Sequence, residues 1–132
     1  MSEPTATVWP CLVYRDARAA LAFCTDVLGF EEALVVPPDG DVVGHAELRW
    51  PEGGGVMLGS AGRDHSEFST QPIGGSSLYV VTDDPQAVHD RAVDAGAEII
   101  REMRDEDYGS TGFSLRDPEG NLWSFGTYRG AP

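Results

Sequence analysis

The chain has 132 residues, with nine Lys and Arg against 22 Asp and Glu, which gives a formal net charge of −13 at pH 7. A chain of this length buries roughly two thirds of its surface on folding, so it forms one domain without disulfides or structural metals. Its negative charge repels phosphate backbones and anionic lipid headgroups. We therefore expect neither a nucleic-acid partner nor a membrane partner.

Residues 1–7 are polar and lack the basic region and apolar stretch of a signal peptide. No apolar run approaches the roughly 20 residues that a membrane-spanning helix requires. The two cysteines, Cys11 and Cys24, do not form a CxxC pair and are expected to be reduced thiols. The sequence is therefore typical of a cytoplasmic protein.

The first half of the chain has the pattern of one strand, one helix and three strands. An apolar, β-favouring run predicts a strand, and an amphipathic segment follows with Asp16 as its N-cap and Gly29 after its end. The predicted strands are residues 8–14, 31–36, 42–50 and 55–60.

The second half repeats this pattern after the polar, Gly-rich stretch 61–76, which we predict to be a linker without regular structure. Pro85 suits the first turn of a helix and Gly96 its exit. The helix is predicted at 85–95, and the strands at 78–82, 98–103, 113–117 and 122–127.

The two halves superpose with a constant shift of 67 residues, which pairs Asp16 with Asp83 and Gly29 with Gly96. The same shift pairs Pro51-Glu52-Gly53 with Pro118-Glu119-Gly120. The sequence therefore predicts a single α+β domain of two tandem βαβββ modules, residues 8–60 and 77–128. Because the helix covers only one face of each curved sheet, we expect the two open faces to enclose a cleft.

Strand alternation places His45, Glu47 and Arg49 on one face of their strand. A metal site or an acid/base pair built on His45 and Glu47 needs a third group, which Asp64, His65 or another linker carboxylate would supply. The alternative is a polar row in which Glu47 partners its neighbours. The sequence leaves both interpretations open. His89, inside the second helix, is interpreted as a surface residue.

Three segments resemble the vicinal oxygen chelate superfamily: DARAALAFCTDVLGF at 16–30, the segment 83–96, and DPEGNLW at 117–123. This superfamily includes glyoxalase I, bleomycin-resistance proteins, fosfomycin-resistance enzymes and extradiol dioxygenases. The resemblance implies two βαβββ modules, a homodimer and, in the enzymes, a divalent metal held by His and Glu side chains.

The positions at which the resemblance implies metal ligands carry Trp9, Met57, Ser77 and Ser124 in this chain. Indole, thioether and neutral hydroxyl groups are poor ligands for Zn, Ni, Mn or Fe. We therefore expect no metal and no other cofactor, and metal-dependent catalysis is disfavoured.

These considerations favour a metal-free protein that binds or sequesters a small molecule, closest in pattern to the bleomycin-resistance branch. The aromatic residues and the negative charge favour a cationic or aromatic ligand. The alternatives are a metal-dependent lyase, isomerase or dioxygenase with a site displaced to His45 and Glu47, and a metal-free acid/base enzyme. The predicted cleft residues are Trp9, Cys11, His45, Glu47, Met57, Phe68, Ser77, Tyr79, Tyr108 and Ser124.

Overall fold

The computed structural model describes residues 6–63 and 66–132, and its internal contacts divide the chain into unit 1, which ends at Ile73, and unit 2, which begins at Gly74. Unit 1 contains the strands β1 (Cys11–Tyr14), β2 (Glu31–Val36), β3 (His45–Arg49) and β4 (Gly55–Ser60). Its helix α1 (Ala17–Ala22) continues as a π-helical segment, Phe23–Leu28, and a short 3₁₀ helix spans Glu67–Thr70. The sheet order is β1-β4-β3-β2, with β1 parallel to β4.

Unit 2 repeats this topology. It contains β5 (Ser77–Val81), α2 (Pro85–Asp94), β6 (Glu98–Asp105), β7 (Thr111–Arg116) and β8 (Leu122–Gly126), with the sheet order β5-β8-β7-β6. Two tandem βαβββ modules of the α+β class are therefore confirmed. Within the described residues, no helix has the length and apolarity needed to cross a bilayer.

Two strands begin three residues later than the sequence predicts. The first begins at Cys11 because Pro10 has no N–H to donate to a ladder, although its carbonyl accepts from the Met57 N–H at 2.9 Å. The third begins at His45 because the Val43 N–H donates to the Ser60 hydroxyl at 2.8 Å instead of to a strand carbonyl.

The N-cap of the first helix and the glycines that follow both helices are those that the sequence predicts, and the second helix is also capped by an aspartate. The side chain of Asp16 accepts from the Ala19 N–H at 3.0 Å, and that of Asp84 accepts from the Ala87 N–H at 3.1 Å. At the other ends, Gly29 and Gly96 have φ values of 100° and 74°, which favour glycine.

The constant shift of 67 residues is wrong at the start of the helices. The two N-caps, Asp16 and Asp84, lie 68 residues apart, so Asp84 and not Asp83 is the counterpart of Asp16. Gly29 and Gly96 lie 67 residues apart, so the first helix holds one more residue than the second. The π-helical segment accommodates it, because the Gly29 N–H donates to the carbonyl of Cys24, five residues back, at 3.0 Å.

Each sheet buries one face. In unit 1 this face includes Leu48 and Leu58, and in unit 2 it includes their counterparts Leu115 and Phe125. Each such side chain contributes about 1.5–3 kcal/mol when it leaves water. The stability of both units therefore comes mainly from these faces, and the opposite faces are free to differ.

The DPEGN segment is structural, since its first residue organises a buried turn. Asp117 is 4% exposed, and its carboxylate accepts from the backbone N–H groups of Glu119 and Asn121, each at 3.0 Å. The same carboxylate accepts from the indole N–H of Trp123 at 3.1 Å. This network fixes the turn between β7 and β8.

His89 is less exposed than a surface position would be. Its side chain is 15% exposed, its ring meets Phe113 edge-on with centroids 5.1 Å apart, and its Nε2 lies 3.1 Å from a carboxylate oxygen of Glu102. The prediction of an ordinary surface residue is therefore wrong, because the side chain lies between α2 and the sheet of unit 2.

Candidate functional site in unit 1

The open face of the unit 1 sheet carries a row of three chemically different side chains. Cys11 on β1 lies opposite Met57 on β4, and Met57 lies opposite Glu47 on β3. Directly paired residues project to the same side of a sheet, so a thiol, a thioether and a carboxylate lie side by side.

A pocket of about 280 Å³ lies between this open face and the segment 66–71. Val13 and Met57 contribute apolar surface, and Phe68 stands at the covering segment with 68% of its surface exposed. The thiol-bearing Cys11, the imidazole-bearing His45 and the guanidinium-bearing Arg63 also line it. The pocket is therefore largely apolar, with a few polar groups at defined places.

The covering segment is fixed by a buried serine. The hydroxyl of Ser69, a residue that is 3% exposed, lies 3.0 Å from the carbonyl oxygen of Arg63 and 2.8 Å from that of Ser66. The backbone N–H of Gly62 donates to the Ser69 carbonyl at 3.0 Å. The prediction that this stretch lacks regular structure is therefore wrong, because these bonds hold the 3₁₀ helix Glu67–Thr70 against unit 1.

His45 and Glu47 lie together, as strand alternation predicts. The Nε2 atom of His45 lies 2.8 Å from Oε2 of Glu47, and the two side chains are 44% and 25% exposed. Arg49, the third residue of this row, instead places its guanidinium carbon 5.6 Å from the ring centroid of Trp9. Asp64 and His65, the predicted sources of a third ligand, lie outside the described residues.

The four positions at which the resemblance implies metal ligands do not fit a divalent ion. Trp9 precedes β1, and the residue directly opposite Met57 is Cys11. The hydroxyl oxygens of Ser124 and Ser114 lie 2.6 Å apart and therefore satisfy each other. Ser77 lies opposite Leu122. Over residues 6–63 and 66–132, no group of three or more His, Cys, Asp and Glu is placed to hold a metal.

The open face of unit 2 bears a smaller hollow of about 120 Å³, lined by Tyr79, Tyr108 and Ser124 among others. The hydroxyl of Tyr79 donates to the carbonyl of Tyr128 at 2.7 Å, and the rings of Tyr108 and Tyr128 meet edge-on at 5.3 Å. Here two of the aromatic rings contact each other, and the hydroxyl of the third is bonded to the backbone.

The predicted site residues thus fall into three groups. Cys11, His45, Met57 and Phe68 line the pocket of unit 1, and Tyr79, Tyr108 and Ser124 line the hollow of unit 2. Trp9, Glu47 and Ser77 line neither. Sequence reasoning did not assign a role to Ser114, although the repeat makes it the counterpart of Glu47, and it did not single out Arg63.

Comparisons with known proteins agree with this architecture. A family model described as the Glyoxalase/Bleomycin resistance protein/Dioxygenase superfamily matches residues 6–125. The Mycobacterium bovis protein Mb0911c is 32% identical over 126 residues, which cover 89% of this chain and 80% of that protein. TioX from Micromonospora sp. ML1 has a TM-score of 0.76 at 29% identity, covering 92% of this chain and 97% of that chain.

A lactoylglutathione lyase from Agrobacterium tumefaciens has a TM-score of 0.67 at 22% identity, covering 95% of both chains. A likeness at this identity shows a common fold and no common chemistry. The family match, by contrast, spans nearly the whole chain and includes both βαβββ units. The chain therefore belongs to the glyoxalase/bleomycin resistance protein/dioxygenase superfamily.

Proposed function

We propose that this protein binds an apolar or aromatic small molecule in the unit 1 pocket and holds it without metal-dependent chemistry, in the manner of a bleomycin-resistance-type member. The observation that carries the proposal is Met57, a thioether that lines the pocket at the position where the resemblance implies a metal-binding carboxylate. A thioether is a weak ligand for hard or borderline divalent ions but an adaptable contact for an aromatic ring.

The surroundings of Met57 support the same function. Val13 lines the pocket beside it, and Phe68 presents an exposed ring at the covering segment. An aromatic ligand that packs between Met57 and Phe68 removes apolar surface from water on both sides. The volume of about 280 Å³ suits a molecule of about two rings.

A second candidate function is metal-free acid/base chemistry, which the contact of 2.8 Å between His45 and Glu47 favours. His45 lines the pocket, and Glu47 orients its imidazole ring. Such a pair can exchange a proton with a bound molecule. Turnover of a pocket ligand in the presence of EDTA that is lost on His45→Gln would establish this function over simple binding.

We also propose that the protein acts as a cytoplasmic homodimer. Both cysteines are free thiols, which suits a reducing compartment. The edge strands β2 and β6 leave Leu34, Val36 and Ile100 exposed, and apolar edges of this kind are usually covered. Sedimentation analysis should give twice the chain mass at micromolar concentrations, whereas a monomer would contradict this part of the proposal.

The binding function is tested with the neutral fluorescent dye N-phenyl-1-naphthylamine in a buffer that contains EDTA. The unmodified protein should bind one dye per chain, and Phe68→Ala should weaken binding at least about fivefold because one of the two apolar surfaces that would enclose the dye is lost. The matched control is Tyr108→Ala, which removes an aromatic ring of similar exposure, 61% against 68%, from unit 2. Equal effects of the two substitutions, or binding that requires added metal, would contradict the proposal.

A further inference from the structure

Arg63 places a guanidinium group in the unit 1 pocket, in an arrangement that its neighbours fix. Its Nε donates to the carbonyl of Ser60 at 2.8 Å, so the plane of the guanidinium is set by the backbone at the end of β4. Its Nη2 lies only 3.2 Å from where a Cβ on Gly59 would stand. The absence of a side chain at Gly59 therefore lets the guanidinium lie close to the sheet.

The terminal nitrogens of this guanidinium have no acidic partner in the described part of the chain. Arg104, Arg116 and Arg129 each form an ion pair with a carboxylate, but no such pair involves Arg63 among residues 6–63 and 66–132. The carboxylate of Glu47, on the same face of the sheet, is paired with His45. In a chain with 22 acidic residues, Arg63 is thus a half-buried guanidinium with which no carboxylate of the described residues forms an ion pair.

The chemistry of the guanidinium defines what fits beside it. It has several N–H donors in one plane and no acceptor, and it binds carboxylate-type and sulfonate-type oxygens through charge-assisted hydrogen bonds. A half-buried guanidinium has lost part of its hydration, so an acceptor from the ligand is favoured there. A cationic group in the same place would be repelled.

We propose that Arg63 determines ligand specificity by binding an anionic oxygen group on the ligand, so that the pocket takes an aromatic or apolar molecule with a carboxylate or sulfonate. This proposal rests on the binding function proposed above and names its ligand class. The expected ligand charge thus follows from the charge inside the pocket and not from the net charge of the chain. The net charge of −13 alone favours a cation, but the side chain that reaches the pocket is positive.

The test compares two dyes that share one aromatic skeleton. 8-Anilinonaphthalene-1-sulfonate carries a sulfonate that N-phenyl-1-naphthylamine lacks. The unmodified protein should bind the sulfonate dye at least about tenfold more tightly than the neutral dye. Arg63→Gln should abolish this preference, so that the affinities of the variant for the two dyes lie within about twofold of each other. Arg63→Lys should keep part of the preference because it retains the charge without the planar fork.

The matched control is Arg129→Gln, which changes the net charge by the same amount at an exposed site in unit 2. It should leave the preference unchanged. Naphthalene-2-carboxylate and naphthalene-2-carboxamide, used as competitors, distinguish a requirement for charge from a requirement for an acceptor. Equal binding of the charged and neutral probes, or a preference that survives Arg63→Gln, would overturn this inference while the binding function stands. Failure of both dyes to bind would overturn the binding function and the inference together.

Discussion

The open faces of the two units show how one scaffold can carry two different surfaces. In unit 1 the central row is Cys11, Met57 and Glu47, and in unit 2 the corresponding row is Tyr79, Ser124 and Ser114. The first row borders a pocket of about 280 Å³ and the second a hollow of about 120 Å³. The same strand pairing thus supports an apolar pocket in one unit and a mutually bonded serine pair in the other.

The buried faces differ much less. Leu48 and Leu115 occupy equivalent places and are both completely buried, and Leu58 and Phe125 are both buried beside them. Packing against a helix restricts these positions to apolar side chains, because a polar group there would lose its hydration without a partner. The comparison teaches that stability resides in the repeated buried faces, whereas the proposed binding site lies on the face on which the units differ.

The largest expected effect comes from breaking a buried face. Leu48→Ala and Leu115→Ala should each lower the free energy of unfolding by about 2–5 kcal/mol, because each leaves a cavity in a packed layer. Met57→Ala, on the open face, should cost less than either. Urea unfolding followed by circular dichroism measures all three, and a larger cost for Met57→Ala would contradict the division between the two faces.

The next prediction concerns the extra residue of the first helix. Deletion of Gln86 from α2 rotates the following turns by about 100° and takes Val88 and Ala92 away from the sheet, at a cost of about 2–4 kcal/mol. Deletion of Thr25 should cost about 1 kcal/mol, because it converts the π-helical segment into a regular helix and loses the hydrogen bonds of its hydroxyl, the shortest of which goes to the Leu21 carbonyl.

Thermal unfolding of the two deletion variants gives the comparison. If deletion of Thr25 lowered the stability as much as deletion of Gln86, the π-helical segment would not simply accommodate one extra residue. Its geometry would then be required for another reason.

A carboxylate introduced at equivalent places in the two units tests which open face binds the dye. Met57→Glu should weaken binding of N-phenyl-1-naphthylamine at least about tenfold, because docking the ring would strip water from a charge on the pocket surface. Ser124→Glu makes the same change of charge at the equivalent place in unit 2 and should alter binding less than about twofold. Fluorescence titration measures both, and a reversed order would place the site in unit 2.

The smallest expected effect concerns the covering segment. Ser69→Ala should cost about 1 kcal/mol of stability and weaken dye binding a few-fold, because Arg63 and Phe68 lose a shared anchor. Thr70→Ala is the control, since it removes a neighbouring hydroxyl whose one partner among the described residues is the exposed carbonyl of Glu67. Equal dye affinity of the two variants would show that the buried hydroxyl does not position the segment.

Much of the fold could be predicted because it depends on local signals that repeat. Asp N-caps, terminal glycines and alternating apolar residues gave both βαβββ units, and alternation alone placed His45 beside Glu47. The sequence alignment did not show that the first helix is one residue longer. The shift that pairs Gly29 with Gly96 also pairs Asp16 with an aspartate, Asp83, although the true N-cap is its neighbour Asp84. The observed N-caps, Asp16 and Asp84, and the hydrogen bond from Gly29 to Cys24 reveal the difference.

The pocket was less predictable because it depends on tertiary contacts of an irregular segment. Phe68 was expected to line a ligand site, but nothing in the sequence indicated that Ser69 would be buried and would tie the segment to Arg63. The role of Gly59 could not be predicted from the sequence either, because it depends on the guanidinium of Arg63 that lies beside it in the structure.

The central claim is that the open faces have lost the donors that would hold a divalent ion, and metal content tests it most directly. Protein purified without chelator and analysed by inductively coupled plasma mass spectrometry should contain well under one equivalent of Ni, Zn, Mn or Fe per chain. Neither His45→Ala nor Met57→Ala should change that content. One equivalent of a transition metal in the unmodified protein, lost on His45→Ala, would contradict the account.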